Sequence, residues 1–130
     1  MSDTKPVDVH SPECMKVSQV LSRLGDKWSV LVIMRLRDRS QRFSELKRGI
    51  EDISQRMLTL TLRNLERDGL VSRTVTPSIP PRVDYELTPL GQSLAEPVQA
   101  LGMWVFQNIG ELSAAQVRYD ARERDHTSAA

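Results

Sequence analysis

A chain of 130 residues can hold one ordinary domain, long enough to bury a core without help from a disulfide or a metal. With 39% hydrophobic and 27% charged residues and a net charge of +1, it is not a disordered polyelectrolyte. Its longest apolar run, residues 30–34, is far short of the roughly 18 residues a membrane span needs.

The first ten residues show no periodicity and are expected to form a mobile arm; they lack the apolar stretch of a secretory signal, so a cytoplasmic protein is expected. Ser11-Pro12-Glu13 reads as a helix start, with Ser as N-cap, Pro at the first position and an acid in the first turn. Val17, Val20, Leu21 and Leu24 follow at helical spacing, and Gly25 can end the helix. Asp26 can cap a second helix over 27–37, with a buried stripe including Trp28, Leu31, Val32 and Met34. Its apolar run is dense enough for a strand, but length and closely spaced caps favour a helix.

Ser44 is expected to cap a short third helix over 45–48, closed by Gly49. Ser54 then opens a longer helix reaching Asp68 and stopping at Gly69, with Leu58, Leu62 and Leu65 on its core face. The period changes over 70–76 and 82–87, which read as two strands joined by the Pro-rich segment 77–81. Thr88-Pro89 repeats the cap-plus-proline start and opens a long helix with the stripe Leu90, Leu94, Val98, Leu101, Val105 and Leu112. Pro97 is expected to kink or split this helix. Ser113 with Gln116 three residues later predicts a separate short helix near 114–124, before a frayed end.

A short helix, a tight turn, a longer polar-faced helix and a hairpin predict a mainly α fold with a β-hairpin wing, a winged helix-turn-helix. With the leucines inward, Gln55, Arg56, Thr59 and Arg63 fall on the opposite face of the second of these helices, and the open N–H groups near Ser54 suit a phosphate. Arg can bond guanine bidentately, Gln can pair with adenine, and Thr can meet a thymine methyl or a phosphate. Arg82, and with it Arg73, sits on the wing; Arg42, Lys47 and Arg48 flank the turn, where they would hold the DNA backbone. Charge distribution agrees: residues 35–82 carry eleven bases and six acids, a net +5, while the remainder carries seven and eleven, a net −4. A basic middle between acidic flanks suits a nucleic-acid face, although surface arginines also serve merely to solvate helices.

Three strings, LGDKWSVLVIMRL (24–36), ISQRMLTLTLRNLERDGLVSR (53–73) and PPRVDYELTPLGQSL (80–94), resemble the HxlR-type winged helix-turn-helix regulators. RFSEL (42–46) and Cys14 also stand at that family's positions, and the resemblance covers roughly residues 14–109. Asp26 departs from the glycine more usual there. The resemblance implies a homodimer bound to an inverted repeat in double-stranded DNA, with terminal helices in the dimer contact. It carries DNA contact onto Ser54, Gln55, Arg56, Thr59 and Arg63, and wing contact onto Arg82. The apolar stripe of the last long helix supports a dimer independently, being longer than one domain needs. Val17, Leu21, Leu94, Val98, Leu101, Trp104 and Val105 are the expected interface, which would set half-sites about 34–36 Å apart. By organisation, 1–10 is the arm, 11–112 the DNA-binding and dimerisation domain, and 113–130 a short helix and tail.

Cys14 falls at the third position of the first helix, where open N–H groups favour a thiolate. The resemblance implies sensing of an oxidant or electrophile there, the alternative being a small packing residue. Any disulfide of this lone cysteine must be intermolecular. Two distant histidines offer no zinc spacing, so no metal or cofactor is expected; nor is an enzyme, since no base is placed beside the cysteine. The alternative function is a winged-helix protein-interaction module without operator binding.

Overall fold

The computed structural model describes residues 12–128. The expected arm and the Ser11 cap lie outside the described residues. The elements run α1 (Pro12–Leu24), α2 (Lys27–Leu36), β1 (Gln41–Arg42), α3 (Phe43–Gly49), α4 (Gln55–Arg67), β2 (Val71–Thr76), β3 (Arg82–Leu87) and α5 (Pro89–Ser128). The chain divides into two compact units, the first ending at Ala95 and the second beginning at Glu96.

The core of the first unit collects one face from each element. Val32, Ile33 and Leu36 come from α2, Leu46 from α3, and Leu58, Leu62 and Leu65 from α4; Leu70, Val71, Leu87 and Ala95 close it. The leucine stripe of α4 is therefore buried as its spacing requires. In α2 the register differs from expectation: Ile33 is fully buried and Met34 only half, because the helix faces the core through positions 29, 32, 33 and 36. Of α1, no residue is fully buried; Leu24 and not Val17 or Leu21 packs on the core. An Arg23–Asp68 ion pair at 3.0 Å ties its end to the end of α4.

Three helix ends find partners, although the Asp26 side chain makes no capping hydrogen bond at the start of α2. After α4, Leu70 N–H donates to the Leu65 carbonyl at 2.9 Å and Gly69 N–H to Glu66 at 3.0 Å, with Gly69 at φ +75°. That pair of bonds forms a Schellman turn, and its left-handed position favours glycine. The last carbonyls of α2 receive side-chain amides: Gln41 donates to Arg35 and Gln92 to Arg37, the latter at 3.2 Å. At the start of α5, the Thr88 hydroxyl accepts from Gly91 N–H at 3.1 Å and donates to the Gly69 carbonyl at 2.6 Å. A Cβ on Gly91 would overlap the Leu70 carbonyl oxygen, so the glycine lets α5 approach the start of β2.

The hairpin is an antiparallel pair, with Arg73 opposite Tyr85 and Thr76 opposite Arg82. A third, two-residue strand, β1, was not anticipated; it pairs with β3 through Gln41–Tyr85 and Arg42–Asp84, giving the order β1-β3-β2. Two residues are too few for an alternating pattern to register.

Two expectations for the C-terminal region are corrected. Of the kink or split expected at Pro97, the split does not occur: α5 is one helix with that proline inside. Pro97 is exposed, so water can meet the carbonyl left without its partner. Ser113 does not open a separate helix, because it follows helical Leu112 and not an extended residue, and the capping motif acts only at that entry. The helix also continues to Ser128, through residues expected to fray.

Candidate nucleic-acid interface

The interface begins with the entry to α4. Ser54 is extended (φ −77°, ψ 158°) and its hydroxyl accepts from Met57 N–H at 3.0 Å. That cap satisfies the third N–H of the helix; those of Gln55 and Arg56 have no acceptor within the helix and lie at its positive end. The preceding turn includes Asp52 at φ +68°, a left-handed position that Asp tolerates better than most residues.

Gln55, Arg56, Thr59, Leu60 and Arg63 line one open surface depression along the outer face of α4. Leu58, Leu62 and Leu65 hold the opposite face in the core, which fixes the helix's rotation. Arg56 and Arg63 are exposed and have no acidic partner within ion-pair distance among the described residues. Thr59 is different. Its hydroxyl donates to the Gln55 carbonyl at 2.8 Å, which leaves the methyl group but no proton for a phosphate. Leu60, half-exposed in the same depression, was missed in the sequence; its one signal is that it falls outside the buried stripe. Such an apolar group suits a thymine methyl.

Around this helix the flanking cations are placed unequally. Lys47 and Arg48 are exposed in the last turn of α3, and Arg42 is exposed on β1 immediately before it. The start of α3 is Phe43, not Glu45: Arg42 N–H donates to the Glu45 carboxylate at 3.1 Å, which closes the turn two residues earlier than a Ser44 cap would. That backbone bond, and then the Arg39 guanidinium at 3.0 Å, hold the Glu45 carboxyl below its ordinary value.

The structure does not bring the two wing arginines together. Arg73 and Arg82 lie on opposite faces of the hairpin, since their cross-strand positions are three residues apart. Arg73 shares a cleft with Thr59, Arg63, Glu66 and Tyr85, and its Nε lies 3.8 Å from Glu66 of α4. Arg82 donates from Nε to Asp84 at 3.0 Å on the other face. Both carboxylate partners were missed in the sequence.

Elsewhere, Cys14 is the third residue of α1 and half-buried. Val17, Leu21, Leu101, Trp104 and Val105 are exposed, and Val98 is half-buried; Leu94 packs against the core of its own unit. Met103, Phe106 and Ile109 join the exposed apolar residues of the second unit. No metal-holding group of acids, histidines or cysteine occurs among the described residues, and none of their helices is long and apolar enough to cross a membrane.

A buried-stripe helix following a tight turn and backed by a hairpin defines a winged helix-turn-helix, the architecture of DNA-binding transcription regulators. The family model described as HxlR-like helix-turn-helix matches residues 23–113, and the chain belongs to that family. It is 41% identical over 98 residues to the HTH-type transcriptional regulator YtfH of Escherichia coli, covering 75% of this chain and 78% of that one. Among solved structures it is similar to the transcriptional regulator ytfH from Salmonella typhimurium, at 35% identity and TM-score 0.74, covering 86% of this chain and 96% of the other. It is also similar to the redox regulator HypR in its reduced form, at 38% identity and TM-score 0.71, covering 76% and 98%.

Proposed function

We propose that the chain binds an inverted-repeat DNA operator as a homodimer, with α4 in the major groove and the wing against the neighbouring backbone. One observation carries the reading: Gln55, Arg56 and Arg63 stand exposed on the outer face of α4, and its arginines have no acidic partner among the described residues. Side chains that reach base edges must give up water but need not first break an ion pair. Arg82, Arg42, Lys47 and Arg48 supply the sequence-independent attraction to phosphate.

Exposed apolar residues support a partner of the same kind. Val17 and Leu21 on α1, and Leu101, Trp104, Val105 and Phe106 on α5, would leave water in a dimer. A regulator of this kind acts where DNA is, in the cytoplasm. For its signal, similarity to a redox regulator and the place of Cys14 in the first turn of α1 support an oxidant or electrophile as effector. Oxidation of two Cys14 thiols by diamide would join them as a disulfide, their two protons and two electrons passing to the diamide.

The test is a mobility shift with DNA from beside the chain's own gene, at two salt concentrations, with and without diamide. A discrete complex that weakens with salt, and that Arg56→Ala with Arg63→Ala abolishes, is the expected result. Unchanged binding by that double variant overturns the α4 face. Cys14→Ser should bind DNA and ignore diamide; a normal response from it places the sensor elsewhere.

A further inference from the structure

We propose that Asp84 is a positioning residue for the wing: it holds the Arg82 guanidinium by Nε and so turns its free outer edge toward a DNA phosphate. The inference rests on the wing contact proposed above and adds to it a residue that no DNA atom need touch.

The geometry is specific to this arginine. Arg82 and Asp84 are two apart on β3 and therefore on the same face of the strand. The guanidinium offers two donor edges, a side edge through Nε and an end edge through the two Nη groups. Asp84 Oδ2 takes the side edge at 3.0 Å. The end edge has no acceptor among the described residues and fits the paired oxygens of a phosphate. Exposure divides in the same sense: the Asp84 side chain is 22% exposed and the Arg82 side chain 51%, so the carboxylate lies behind and the cation in front. Arg42 stands directly across from Asp84 in the β1–β3 pairing, on the same face of the sheet. Arg73, on the other face, has no comparable tether; its separation of 3.8 Å from Glu66 is beyond hydrogen-bond length.

Two effects of Asp84 oppose each other. Its charge repels phosphate, while its hydrogen bond removes rotamer freedom from Arg82 before DNA arrives. The second effect is the larger. Fluorescence anisotropy with a labelled mixed-sequence duplex, over a salt series, separates them in Arg82→Ala, Asp84→Ala, Asp84→Asn and the double alanine variant, each first checked by thermal unfolding. Asp84→Ala should weaken binding roughly threefold or more and flatten the salt dependence. Asp84→Asn keeps an oxygen acceptor for Nε and should retain most of the affinity. In the Arg82→Ala background, removing Asp84 should cost nothing.

Equal or tighter binding by Asp84→Ala, with Arg82→Ala weakened, overturns this inference alone. No loss in Arg82→Ala removes the wing contact itself, and the inference with it. Should Asp84→Ala unfold early, Asp84→Asn decides: a loss in it as large as that of Arg82→Ala also counts against positioning by the hydrogen bond.

Discussion

The recognition helix and the wing carry the same residue type in two electrostatic conditions. On α4, Arg56 and Arg63 project into solvent with no acidic partner among the described residues, although α4 itself contains Glu66. On the hairpin, each arginine faces a carboxylate, Arg73 toward Glu66 and Arg82 toward Asp84. The difference teaches that a count of basic residues does not measure what is available to DNA. An unpaired arginine offers its whole fork, whereas a paired one offers only the edge its partner leaves open.

The comparison can be broken most directly at α4. Arg56→Ala and Arg63→Ala should each cost about 1–3 kcal/mol of operator binding if the contact is bidentate, and should relax base preference in a panel of operator variants. A smaller loss is expected from Arg82→Ala, which should weaken all sequences alike and reduce the salt slope by about one, as titrations at several ionic strengths would show. Arg73→Ala should leave that slope nearly unchanged, since Arg73 faces the α4 cleft. A drop equal to that of Arg82→Ala would erase the distinction between the two faces of the hairpin.

Further down in size, Ser54→Ala removes the cap that orients the first turn of α4 and should lower stability by about 1 kcal/mol, read from denaturant unfolding. The smallest effect concerns Glu45. Its carboxyl is held below the ordinary carboxylate value by the Arg42 N–H and then by Arg39, so the charged form is favoured in the folded chain. The contribution is fully present above the ordinary carboxylate range and is lost as pH falls through the lowered folded value. Melting temperatures of the parent chain and Glu45→Gln should therefore converge as the solution is acidified below about that range, while differing near neutrality.

Much of the architecture was legible because it follows from short-range rules. Leu58, Leu62 and Leu65 mark the buried face of α4, Ser54 its entry and Gly69 its exit, and each acts through neighbours within a few residues. The outward positions Gln55, Arg56 and Arg63 follow from that stripe by helical geometry alone. Illegible features depend on partners distant in the chain. Gln41 is buried because it serves the end of α2 while pairing with Tyr85, and nothing in a two-residue strand announces either task. The choice of Ile33 over Met34 for the core was hidden by an apolar run that offers every face of α2 equally. In α5, local signals misled: Pro97 and Ser113 carry the marks of a break and a start, yet each lies within continuous helix.

By itself, then, the sequence determined the order of helices and hairpin, the inward and outward faces of α4, and which residue types could meet DNA, because periodicity, caps and turns are local physics. The tertiary structure alone decided that Arg73 met Glu66, a carboxylate on another element. Arg73 reaches Glu66 because β2 returns beside α4 after the Gly69 turn, and β1 joins the sheet because Gln41 and Arg42 find Tyr85 and Asp84 across the fold. Charges separate in sequence are each hydrated until folding brings an opposite charge within a few ångströms, and that distance is fixed only by packing of the whole unit.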